Sequence, residues 1–144
     1  MSNFVKMTLA GLALASALVS TPAFAETTMF KAALTAGDEV PATTSKGTGT
    51  LAATYDSSTK LLTWKGAYTG LSGAATAAHF HGPAAIGKSA PVEVPLTAIA
   101  SPFDGKATLT DAQAKDLMAG MLYINVHTAA NPNGEIRGQV VPAK

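Results

Sequence analysis

Cysteine is absent from all 144 residues, which excludes thiolate metal sites, thiol redox chemistry, cysteine nucleophiles and disulfides. A lipid-modified N-terminal cysteine is excluded with them. Charge is scarce at 13%, and ten basic residues stand against nine acidic ones. No basic stripe exists that could neutralise phosphates, so neither nucleic acid nor an anionic membrane surface is an expected partner. Aromatic residues are only 6% of the chain, with a single tryptophan at Trp64. Long apolar runs are missing too. After the stretch from Met7 to Val19, no segment approaches the roughly 18 consecutive apolar residues of a membrane span. Histidine is scarce as well: His79, His81 and His127 are the whole supply.

The apolar stretch near the start has a weak positive lead-in at Lys6 and ends in Thr21-Pro22-Ala23-Phe24-Ala25. That Ala-x-Ala ending marks a cleavage site before Glu26, so residues 1–25 are expected to be a signal peptide. Residues 26–144 then form one exported domain, periplasmic or secreted, long enough for its own core and not inserted in a membrane. Loss of Lys6 with the leader leaves basic and acidic side chains balanced. Without disulfides, stability has to come from core packing, with a bound metal as further help.

Beyond Glu26, short alternating segments are punctuated by Gly, Pro, Asn and Ser. Strands are expected at Met29–Thr35, Thr48–Tyr55, Leu61–Thr69, Ala75–His81, Val92–Leu96, Ala107–Leu109, Met121–Thr128 and Glu135–Val141. Asp56-Ser57-Ser58-Thr59 makes a natural hairpin connection. One short connector helix interrupts the pattern. Thr110 and Gln113 have capping-box spacing, and Gly120 stops the helix after two or three turns. This pattern predicts an all-β antiparallel sandwich or barrel.

Strand alternation orients the rare residues, because i and i+2 share a face. Leu122, Ile124 and Val126 make one apolar face, so Tyr123, Asn125 and His127 occupy the other. Ile136 and Val140 leave Glu135, Arg137 and Gln139 with His127, and Phe80 leaves His79 and His81 outside. His79 and His81 should stand roughly 6.5–7 Å apart along their strand. Two imidazoles on that spacing can lean onto one ion at about 2 Å each. With His127 on an adjacent strand, a third nitrogen completes the set. The competing readings are plain ones: outward histidines as surface residues, Arg137 paired with Glu135, and Tyr123 and Asn125 as sheet surface.

Several stretches resemble the CHRD domain family: Phe30-Lys-Ala-Ala-Leu-Thr-Ala-Gly-Asp-Glu-Val-Pro41, Ala78-His-Phe-His-Gly-Pro83, and Leu122-Tyr-Ile-Asn-Val-His through Gln139. The resemblance runs over nearly all of residues 26–144 and implies an immunoglobulin-like, Greek-key β-sandwich. A more distant resemblance is to the copper site of Cu,Zn superoxide dismutase. His79, His81 and His127 match its copper ligands in order and local setting, and Arg137 matches the arginine that guides the anionic substrate. The bridging histidine, the zinc-loop ligands and the disulfide have no counterpart, so the likeness implies one copper per chain and makes zinc the weaker expectation.

Two functions of different class follow. One is a copper site at His79, His81 and His127, with Arg137 as catalytic residue in superoxide dismutase-like chemistry, or with copper exchanged with a delivery partner. The other is a non-catalytic extracellular interaction module without metal. A three-histidine zinc hydrolase ranks below both, since Glu135 is the only carboxylate near the histidines in sequence. Gly-x-Ser-x-Gly is absent, and Asp38-Glu39 is expected to serve only its loop.

Overall fold

The computed structural model describes residues 25–144, so the expected leader lies outside the described residues except for Ala25. Nine strands form: β1 (Thr27–Thr35), β2 (Thr48–Asp56), β3 (Leu61–Thr69), β4 (Ala75–His81), β5 (Val92–Pro95), β6 (Phe103–Thr108), β7 (Tyr123–Thr128), β8 (Ile136–Gln139) and β9 (Val141–Pro142). The helix α1 spans Asp111–Met118 between β6 and β7. Every strand pairing is antiparallel, in the order β5-β4-β7-β8-β1-β2-β3-β6, with β9 also on β1. The β1–β8 junction is thin, with Thr35↔Arg137 as its one paired register. There the sheet turns a corner, and its two halves close on one core as a barrel-like sandwich. Trp64 of β3 and Phe80 of β4 meet edge to face across it, 5.1 Å between ring centroids.

The core follows strand alternation. Phe30, Ala32 and Leu34 point inward from β1, Leu51, Ala53 and Tyr55 from β2, and Leu122, Ile124 and Val126 from the segment leading through β7. The expected capping box is present, with Thr110 accepting from the Gln113 N–H and Gln113 accepting from the Thr110 N–H. Leu117 anchors this helix in the core. Among the described residues, no helix is long and apolar enough to cross a membrane.

Two boundaries differ from expectation. The strand expected at Ala107–Leu109 begins earlier, at Phe103, through an Asp-Gly pair that looks like a turn. Gly105 is in a strand because the Trp64 indole lies where its Cβ would be, 2.6 Å from that point. Reciprocally, the Phe103 ring covers Gly66, which pairs with Phe103 in the β3–β6 register. Each glycine thus admits an aromatic ring from the neighbouring strand. The strand expected over Glu135–Val141 is split instead, and Glu135 lies just before β8.

Glu135 is fully buried and is not the surface partner of Arg137 that its spacing suggested. Its carboxylate accepts from Ser45 Oγ at 2.5 Å, from Ser72 N at 2.7 Å and Ser72 Oγ at 2.6 Å, from Thr128 Oγ1, and from Asn131 Nδ2 at 3.0 Å. One side chain therefore ties the β1–β2, β3–β4 and β7–β8 connections together. Burial alone would raise its pKa, but the hydroxyl and amide donors outweigh burial and hold it at about 2 against an ordinary 4.5.

The fold generates two tests. A carboxyl depressed in the folded state contributes stability above its unfolded pKa and loses it as pH falls through the folded one. Unfolding free energy is expected to fall between pH 4.5 and about 2, by on the order of 3 kcal/mol from Glu135. Glu135→Gln should cost roughly 2–3 kcal/mol at neutral pH and flatten that dependence, as read by denaturant titrations at pH 7 and pH 3. Gly105→Ala drives a methyl into the Trp64 ring, and should lower stability by about 1–3 kcal/mol in the same assay. An unaffected Gly105→Ala protein would mean that the indole can move aside freely.

Candidate metal centre

The strands β4 and β7 are adjacent, as a shared site requires, with His79 opposite Asn125, His81 opposite Tyr123 and His127 opposite Ala77. All three histidines lie on the face turned from the hydrophobic core, as alternation predicts. That face is not solvent, however. His81 and His127 are each 9% exposed and Asn125 and Arg137 3%, while His79 is half-buried. The connections β1–β2, β4–β5 and β7–β8 fold over it, which strand alternation cannot foresee. A second, polar interior results.

Loop carbonyls orient two of the rings. His81 Nδ1 lies 3.0 Å from the Ala90 carbonyl oxygen, and His127 Nδ1 lies 2.9 Å from that of Pro132. A carbonyl only accepts, so both Nδ1 atoms carry the proton and both Nε2 atoms keep a lone pair. These Nε2 atoms point inward. His79 turns its Nδ1 toward them, 3.1 Å from His127 Nε2. The three candidate ligand nitrogens all lie within 4.8 Å of one another. The rings themselves are closer than regular strand spacing predicts, with 5.4 Å between the His79 and His81 centroids. Carbonyl partners on the remote ring nitrogen are the usual outer support of a histidine metal ligand.

Electrostatics favour the ligand form. Burial lowers the pKa of His79, and the neighbouring His127 and His81 rings lower it further. Burial likewise lowers that of His81, with the Ala90 carbonyl and Asn125 pulling the other way and His127 and Arg137 adding to the decrease. Neutral imidazole is what a metal ion binds.

Arg137 reaches the site through a stack. Its Cζ sits 3.3 Å above the centre of the Tyr123 ring. Tyr123 also stacks with His81, parallel within 1° at 4.8 Å between centroids. The guanidinium also donates to the Lys88 carbonyl. The Tyr123 hydroxyl donates to the Ala90 carbonyl at 3.3 Å and accepts the Ala90 N–H at 3.2 Å, bracing the loop that orients His81.

Sequence reasoning left two residues out of the site. Asn125 projects its Oδ1 between the histidines, 3.0 Å from His81 Nε2 and 2.9 Å from His127 Nε2. Glu39, assigned only a loop role, is 7% exposed behind it, and its Oε1 has no hydrogen-bond partner. Burial raises the Glu39 pKa against the opposing pull of Arg137, the Val40 N–H and the Asn125 amide. Gly134, at φ 126°, leaves room for both. A Cβ there would lie 2.3 Å from Glu39 Oε1 and 2.9 Å from Asn125 Nδ2. Glu39 also lines a cleft of about 400 Å³ between segments 39–44 and 130–134. The signal for Asn125 was its place between Tyr123 and His127 on one face; for Glu39 there was none in local spacing.

The donors converge and two of the rings are oriented from behind, so His79, His81 and His127 could hold a metal ion. No curated protein and no solved structure matches the chain. Its match to the CHRD domain family covers residues 30–140, from the core Phe30 of β1 to the buried Val140 after β8, and so includes every residue of the site. The chain belongs to the CHRD domain family.

Proposed function

We propose that this protein is an exported CHRD-domain protein that binds one copper ion through His79, His81 and His127. The observation that carries this reading is the pair of carbonyl-fixed imidazoles, His81 on Ala90 and His127 on Pro132, whose Nε2 lone pairs face inward beside His79. Three imidazoles with no thiolate favour copper over magnesium, calcium or manganese, and a nitrogen site binds Cu(II) more tightly than zinc. Glu135 is bound by four other residues and is not a free base, which removes the carboxylate that a zinc hydrolase reading relied on.

Copper in this position supplies one-electron chemistry, the kind that superoxide dismutation uses. The chain's own residues supply the rest. The loop over β4 and β7 keeps bulk water from His81 and His127, while the half-buried His79 marks the open side. Arg137 is too buried to bind an anion directly where it stands. Its permanent charge, felt at His81, provides a local positive field in a nearly neutral protein. On this reading Arg137 attracts superoxide by field rather than by contact.

Copper titration followed by Cu(II) EPR should give one copper per chain with nitrogen hyperfine structure, and no bound copper in the His79/His81/His127→Ala protein. Absence of stoichiometric copper from the wild-type protein would leave the metal-free interaction module as the reading. Where superoxide turnover is present, Arg137→Met should lower it about tenfold and weaken its salt dependence, with copper content still one per chain. Turnover unchanged by that substitution would remove the steering role.

A further inference from the structure

Around His81 and His127 there is a surplus of acceptors. Both Nδ1 protons are committed to carbonyls, so both Nε2 atoms present lone pairs. Yet the atom facing both of them is the Asn125 Oδ1, at 3.0 and 2.9 Å, an oxygen that can only accept. Three acceptors thus converge in a space that is more than nine-tenths buried. A proton on His79 Nδ1 can join that ring to His127 Nε2, but with the His81 and His127 rings neutral both contacts of Asn125 Oδ1 are acceptor against acceptor. Buried acceptors in mutual contact are unfavourable unless something positive joins them.

The distances say what kind of cation would do so. Ligands at about 2.0–2.1 Å from one ion, at angles between a right angle and a tetrahedral one, are roughly 2.9–3.4 Å apart. Asn125 Oδ1 to His81 Nε2, Asn125 Oδ1 to His127 Nε2, and His127 Nε2 to His79 Nδ1 measure 3.0, 2.9 and 3.1 Å. All three match the edges of a coordination polyhedron.

The amide also faces the right way round. Its Nδ2 lies on the Glu39 side, beside the same point above Gly134 that Glu39 Oε1 approaches. The reverse orientation would set Oδ1 against a carboxyl group. Gly134 keeps the space in which carboxyl and amide meet.

From this convergence we infer that Asn125 is a metal ligand, its Oδ1 completing an N3O donor set with His79, His81 and His127. The inference rests on the copper reading above and adds a ligand that the three-histidine pattern does not contain. The set is asymmetric. The imidazoles suit both oxidation states of copper, whereas a carbonyl oxygen favours the harder Cu(II). Asn125 therefore biases the site toward the oxidised ion.

The test compares wild type with Asn125→Leu, which keeps the side chain's shape but has no donor, and Asn125→Asp, which keeps an oxygen there. Each purified protein is titrated with Cu(II) against a competing chelator, and its EPR spectrum and copper-induced rise in Tm are recorded. Asn125→Leu should still take up one copper through the histidines, with about tenfold weaker affinity, changed hyperfine splitting and a smaller Tm rise. Asn125→Asp should recover or exceed the wild-type affinity. Wild-type EPR and affinity in Asn125→Leu would overturn the ligand role while leaving the three-histidine site intact. Should Asn125→Leu fail to fold, an Asn125→Asp spectrum identical to wild type would overturn it equally. Copper retained by the triple histidine variant, or no copper in wild type, would instead overturn the underlying site and this inference with it.

Discussion

Everything distinctive about this molecule depends on the register between β4 and β7. With His79 opposite Asn125 and His81 opposite Tyr123, the polar side chains of both strands share one face. Ala78 and Phe80 share the other with Ile124 and Val126. A slip of one residue would exchange the faces and bury imidazoles in the hydrophobic core. The apolar face enforces the register through burial, at roughly 1.5–3 kcal/mol for each large side chain. The packing of Phe80 against Trp64, remote from any chemistry, therefore helps to hold the histidines in place. An irregularity between Phe80 and His81 in the pairing with β5 lets His81 depart from regular spacing at the end of its strand.

A β-sheet with one polar face normally leaves it to water, but here connections enclose it. The segment between β4 and β5 brings the Ala90 carbonyl to His81, and the segment between β7 and β8 brings that of Pro132 to His127. Those same loops are tied down independently of the histidines. Glu135 gathers Ser45, Ser72, Thr128 and Asn131, while Arg137 and Tyr123 hold Lys88 and Ala90. The imidazoles are thus oriented by loops that hold their own place, the kind of support that a pre-arranged ligand set requires.

Much of this was legible in the sequence because it follows from period-two alternation, a local property. The core faces of β4 and β7, the capping box at Thr110 and the common face of the three histidines all came from spacing within single segments. What escaped was non-local. Gly105 reads as a turn until Trp64 from the neighbouring strand occupies its empty face. Glu135 reads as a surface residue until serines from two distant connections close on it. Glu39 stands 86 positions from Asn125 in a turn-like motif, and no spacing rule links them. Alternation assigns a side chain to a face; it does not say whether a loop will later cover that face.

Burial of charge within this second interior follows one logic. Arg137 is enclosed without a carboxylate bonded to it, and its compensation is the π-face of Tyr123 and the Lys88 carbonyl. Burial disfavours protonation of His81, and the charge of Arg137 adds to that effect. Glu39, on the other side of Asn125, feels the same charge in the opposite sense but is desolvated enough for burial to dominate. His81 thus has a cation on one side, and beyond Asn125 lies a carboxyl whose pKa burial raises. A proton is a poor occupant of such a space. An ion that accepts several lone pairs at once suits such a space better, and His79, His81 and His127 lie close enough to offer theirs to one.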